Sequence, residues 1–185
     1  LGYTGGIRRK MANSNTWDSD AIFDRFDAPE QDINVQIVKL LFDRKTNLNF
    51  DHRLFACTSR GLYFSDDPIA ASPGWTASYI VPPLSIQSAY PNGTMDMSRV
   101  FVNDVEYLTI PNTSTLCAAM RFTVDVGSNG QQIVNVWRFM QSADNGGYWQ
   151  EVEGQPQVTT NFNWSSVEVT ADAPANFFCK SYGPG

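Results

Sequence analysis

The sequence predicts an all-β protein, and three observations carry that prediction. Apolar residues come in short alternating runs, among them Val35-Gln36-Ile37-Val38-Lys39-Leu40, Arg53-Leu54-Phe55-Ala56-Cys57 and Val134-Asn135-Val136-Trp137-Arg138-Phe139. Alternation with a period of two puts one face of an extended chain in a core and the other outside it. Turn-forming clusters separate the runs: Pro82-Pro83, Pro91-Asn92-Gly93, Gly127-Ser128-Asn129-Gly130 and Asn145-Gly146-Gly147. The third observation is recurrence, since Cys57, Cys117 and Cys179 follow one another at intervals of 60 and 62 residues.

Each cysteine closes a short apolar run, Leu54-Phe55-Ala56-Cys57, Thr115-Leu116-Cys117 and Phe177-Phe178-Cys179, and is expected on an inner strand. Val105-Glu106 begins twelve residues before Cys117, and Val167-Glu168 begins twelve before Cys179. The repeat unit is therefore about sixty residues of strand, turn, strand, turn. Only Asp20 to Phe26 offers a short helical pattern, and Trp17 just before it speaks against one.

The turns carry the most specific motif. Ser142-Ala143-Asp144-Asn145-Gly146-Gly147-Tyr148-Trp149 fits S-x-D-x-G-x-x-W. The Ser142 and Asp144 side chains suit bonds to turn amides, Gly146 permits positive φ, and Trp149 suits a cap between strands. A second, degenerate copy reads Ser65-Asp66-Asp67 and then Gly74-Trp75, with Pro68 to Pro73 lengthening the turn; Ser65, Asp67, Gly74 and Trp75 are its key positions. A third, without the aspartate, runs from Gly6-Ile7 through Asn13-Ser14-Asn15-Thr16 to Trp17.

This motif resembles the Asp box of the sialidase-like (BNR) β-propeller families. The resemblance implies blades of four antiparallel strands, with a partial blade over 1–30, blades over 31–90 and 91–160, and a partial blade over 161–185. About three blades are fewer than the four to eight that close a propeller ring. The expectation is a piece of a longer polypeptide, or copies that assemble with one another or with partner proteins. A β-sandwich carrying an Asp-box hairpin is the alternative fold.

The resemblance does not extend to sialidase chemistry. Where the family has Arg-Ile-Pro, this chain has Thr109-Ile110-Pro111, so the arginine that clamps the substrate carboxylate is missing. No catalytic residue is assigned and no enzyme is expected. Arg121 and Arg138, flanked by apolar residues, are expected as paired strand residues at blade edges, and Trp137 as a core residue. Trp164 is the best candidate for an exposed aromatic contact to a glycan.

Bulk composition excludes several classes. Hydrophobic residues make up 42% of 185 residues, enough for a packed core. A net charge of -6 with 17% charged residues lacks the basic patch that nucleic acid or an anionic membrane requires. No window approaches a membrane span. Three cysteines without close spacing, and the single His52, point to no metal site, while Asp18, Asp20, Asp24 and Asp27 lack the spacing and central glycine of a calcium loop. No cofactor is expected. The sequons at Asn92, Asn112 and Asn163 occur about as often as composition alone dictates. The expected role is a structural or adhesion protein, by analogy with Asp-box proteins of phages a virion or tail component or an extracellular one. A glycan-binding module and a glycosidase follow as alternatives.

Overall fold

The computed structural model describes residues 2–3, 6–10, 12, 14–17, 23–24, 35–42, 53–107, 115–127 and 132–155. Cys179, Trp164, His52 and Thr109 lie outside them, as does the partial blade expected over 161–185.

The protein is all-β. Strands β1 (Gly2–Tyr3), β2 (Gly6–Ile7) and β3 (Phe23–Asp24) form a small antiparallel sheet in that order. Next come β4 (Ile37–Phe42), β5 (Leu54–Thr58), β6 (Gly61–Ser65) and β7 (Thr76–Ala77), an antiparallel meander. After β8 (Tyr79–Ile80), the six-residue helix α1 (Leu84–Ala89), β9 (Thr94–Met95) and one turn of 3-10 helix at Met97–Arg99, a second meander follows. It consists of β10 (Phe101–Tyr107), β11 (Leu116–Asp125), β12 (Ile133–Ser142) and β13 (Tyr148–Glu151), again antiparallel and consecutive.

Local chemistry explains the turns. Between β5 and β6 the Thr58 hydroxyl donates to the Gly61 carbonyl at 2.8 Å and accepts from the Arg60 amide at 2.9 Å. Gly61 takes a φ of 112°, which a side chain at that position would resist. Pro83 caps α1, where a missing amide hydrogen costs nothing, and Ile86 is the helix's fully buried residue.

The two meanders enclose one core. Phe55, Cys57, Leu62 and Phe64 face it from the first; Val102, Val105, Leu116, Ala118, Met120, Phe122, Val136, Met140 and Trp149 face it from the second. At one side the sheets join through the chain itself. Ser78 alone separates β7, which pairs with β6, from β8, which pairs in parallel with β13. At the other side Lys39 of β4 reaches Asp104 and Glu106 of β10 and donates to the Val105 carbonyl at 3.2 Å. Burial works against the Lys39 charge, but hydrogen bonds and attraction from Asp104 and Glu106 raise its pKa above the usual lysine value.

Two sheets around one core are a sandwich-like arrangement. The described residues supply two four-stranded meanders, and two do not make a propeller ring.

The meanders stack with corresponding faces pointing the same way. Cys57 lies on β5 and Cys117 on β11, each the second strand of its meander. Cys57 faces the shared core, whereas Leu116 and Ala118 take the core positions of β11 and turn Cys117 to the opposite face. Trp149 fills the shared core, whereas Trp75 packs on the far side of the first meander with Ile7, Ala56 and Tyr63. The cysteine face of the first sheet thus meets the tryptophan face of the second. The correspondence holds for strand and face but not for height: Leu54 stands opposite Ser65, and Leu116 opposite Ser142, leaving Cys117 two residues nearer its box than Cys57 is.

Candidate functional site

The hairpin from Ser142 to Trp149 is densely bonded. Ser142, at the end of β12, is buried; its hydroxyl donates to Asp144 Oδ1 at 2.6 Å and accepts from the Gly146 amide at 2.9 Å. Asp144 Oδ1 also accepts from the Tyr148 amide at 2.9 Å. Asn145 and Gly146 have φ of 60° and 91°, so the turn passes through two left-handed residues, one of them glycine. The Trp149 indole N–H donates to the Gly146 carbonyl at 2.9 Å, and its ring is fully buried. Partial burial disfavours the Asp144 charge, but bonds from Ser142 and the Tyr148 and Gly147 amides outweigh it and hold the carboxyl below the usual range.

Residues of the first meander and of β10 cradle this turn. Arg53 donates to the Asn145 carbonyl, bonds Asp66 through Nε at 2.6 Å, and stacks its guanidinium 3.9 Å from the Phe64 ring centroid. Tyr107 donates to Asn145 Oδ1 at 3.0 Å, and Ser78 to the Gly146 carbonyl at 2.7 Å. The Phe55 ring lies so close to Gly146 that a Cβ there would meet its Cζ at 2.8 Å. Arg53, Phe55, Ser78 and Tyr107 lie outside the S-x-D-x-G-x-x-W motif, which gives no sign of them.

The degenerate copy is built differently. Ser65 is buried, but its hydroxyl has no hydrogen-bond partner among the described residues. Asp67 accepts instead from the Ala70 amide at 3.1 Å, inside the lengthened turn, and Asp66 is taken by Arg53. Gly74 is exposed with open space around it, and Trp75 is half-buried. Of the third copy, Ile7 is buried beside Trp75 and Trp17 is 49% exposed.

Three expectations need correction. Arg138 is not at a sheet edge: it lies on β12, between β11 and β13, on the core-facing side, and is 8% exposed. It pairs with Glu151 at 3.0 Å and donates to Ser85 Oγ at 2.7 Å, while Nη2 has no partner among the described residues. Burial lowers its pKa, and the Glu151 charge opposes that fall. Trp137 is the reverse case, half-buried on the face turned from the core, edge-on to Phe101 at 6.1 Å. Arg121 is not at an edge either: it lies on β11, between β10 and β12, and its guanidinium stacks 4.8 Å from the Phe101 centroid.

Cys57 and Cys117 are free and fully buried. Among the described residues no group of three His, Cys, Asp or Glu side chains is placed to hold a metal ion. None of the described helices is long and apolar enough to cross a membrane. No family model, curated protein or solved structure matches the chain.

Proposed function

We propose that this chain is a non-enzymatic structural or adhesion protein in which Asp-box propeller blades form a rigid scaffold within a larger assembly. The observation that carries the reading is the stacking of the meanders with equivalent faces in the same direction. Contact between unlike faces is heterologous, and heterologous contacts generate a ring where the rotation between successive units closes. In this reading each meander is a blade, and further blades from partner proteins or from copies of the chain complete the ring. A place on a virion or tail, or outside the cell, fits such a scaffold.

The use of the polar groups also supports a scaffold. The box spends its hydroxyl, carboxylate and indole N–H on its own turn. Arg53 and Arg138 are held by Asp66 and Glu151, and Arg121 rests on Phe101, so these three arginines do not converge as a substrate-carboxylate clamp would require.

Sedimentation velocity over a range of concentrations, run beside a fluorogenic sialoside assay, tests the proposal. Species heavier than a single chain, with no turnover, are the expected result. Turnover of the sialoside, or a single-chain species at every concentration, would overturn it.

A further inference from the structure

The seam where β8 meets β13 carries an aromatic surface that the scaffold does not use. Tyr79 and Tyr148 are cross-strand partners, and the next pair, Ile80 and Trp149, packs in the core. Alternation along both strands therefore turns the two phenols to solvent, where Tyr79 is 64% and Tyr148 46% exposed. Their rings stack on one another, with centroids 5.8 Å apart and planes at 20°. A protein leaves single tyrosines on its surface without consequence; two in register, stacked on one another, hold each other's orientation and present an outer ring face on either side.

Both backbones are fixed by the hairpin. The Tyr79 amide donates to the Gly147 carbonyl at 2.8 Å, and the Tyr148 amide to Asp144 Oδ1 at 2.9 Å. Little order remains to be imposed on binding, which favours a ligand that gains only modest contact energy. Gln150, two residues beyond Tyr148 on the same face, is exposed, and Gln141 is its cross-strand partner. Phenol faces beside a pair of amides offer an apolar plane bordered by groups that both donate and accept hydrogen bonds.

That combination matches the two-sided chemistry of a pyranose, whose C–H face packs on an aromatic ring while its hydroxyls point sideways to amides. Charge narrows the class. The exposed Asp144 carboxylate is two residues from the adjoining strand, and the chain carries a net charge of -6, so an acidic sugar meets repulsion. We infer that Tyr79, Tyr148 and Gln150 form a binding platform for a neutral hexose unit of a glycan. The platform is open and shallow, so affinity for a short oligosaccharide is on the order of millimolar.

Saturation-transfer NMR with maltotriose, lactose, N-acetylglucosamine trimer and sialyllactose tests this on the whole chain. At least one neutral sugar is expected to bind and sialyllactose to bind more weakly. Tyr79→Ala and Tyr148→Ala are each expected to weaken the neutral sugar by about tenfold, while Tyr148→Phe keeps most of the affinity. Unchanged thermal midpoints in these exposed variants separate loss of a platform from loss of the fold. Should a variant melt early, Gln150→Ala, at an exposed position, supplies the same comparison. Absence of transfer to every neutral sugar, or binding indifferent to both tyrosine truncations, would overturn the inference. Sugar binding by single chains would leave this platform standing while the assembly reading failed, so the two proposals fall separately.

Discussion

Trp75 and Trp149 point the same way from successive sheets: Trp149 fills the space between the two meanders, and Trp75 covers the far side of the first. Equivalent side chains on both sheets would face each other if the pair had two-fold symmetry. They do not, so the same residue type does unequal work. Trp149 is fully buried with its N–H bonded, whereas Trp75 is half-buried against Ile7, Ala56 and Tyr63.

That inequality predicts the cost of removing each. Trp149→Ala leaves a cavity in the main core and is expected to destabilise by about 3–5 kcal/mol. Trp75→Ala removes a smaller buried area and is expected to cost about 1–2 kcal/mol. Urea unfolding of both variants measures the two values, and a Trp75 variant as damaging as the Trp149 one would contradict the assigned packing.

The glycines of the two boxes give a second contrast. Gly146 combines a φ of 91° with the Phe55 ring where a methyl group would go, while Gly74 has open space around it. Gly146→Ala is expected to cost about 2 kcal/mol or more, from backbone strain and from displacement of Phe55. Gly74→Ala is expected to lie within about 0.5 kcal/mol of the parent. Thermal midpoints of the pair distinguish a stapled turn from a loose one.

Asp144 links the staple to pH. Its carboxyl titrates below the ordinary value of 3.8 in the folded chain, because Ser142 and two turn amides bond the charged form. A folded pKa below the unfolded one means that the unfolded chain takes up the proton first. The contribution of Asp144 is therefore complete above that value and is lost as pH falls through the lower folded value. Asp144→Asn should melt below the parent at neutral pH, and the gap should narrow as the pH falls below 3.8.

The parts of the structure that were legible in the sequence are the short-range ones. The box spacing specifies bonds between residues two to four apart, as from Ser142 to Asp144 and to Gly146. Alternation likewise predicts strands such as β11 and β12. The cradle was not legible, because Tyr107, Ser78 and Arg53 stand 38, 68 and 92 residues from the turn atoms they bond. Nor was the direction in which β12 faces. Alternation groups Trp137 with Phe139 and Arg138 with Val136 and Met140, but hydrophobicity favours the wrong set for the core. A carboxylate on the neighbouring strand makes the arginine tolerable there, and only the pairing of Met140 with Glu151 brings that carboxylate near.

Arg138 and Glu151 should therefore depend on one another. Removing Glu151 strands a guanidinium that is 8% exposed, and Glu151→Ala is expected to cost about 3–5 kcal/mol. Arg138→Met alone leaves a carboxylate that is 18% exposed and still accepts from the Ser85 amide at 3.1 Å and from the Ser85 hydroxyl, so it costs less. The double variant Arg138→Met with Glu151→Leu removes both charges and should recover at least half of the Glu151→Ala loss. A double-mutant cycle measures the coupling, and purely additive losses would mean that the pair does not act as a unit.

The thiols test burial between the two sheets and on the outer face of the second sheet independently. Burial raises Cys57 above the ordinary thiol value and pushes Cys117 up to about 12, so little thiolate forms at either near pH 8. Cys57 sits in the shared core and Cys117 on the opposite face, both without exposed surface. Alkylation read peptide by peptide is expected to spare both in the native chain and label both in urea. Fast labelling of Cys117 alone would show that the outer face of β11 is open to solvent and contradict its burial there.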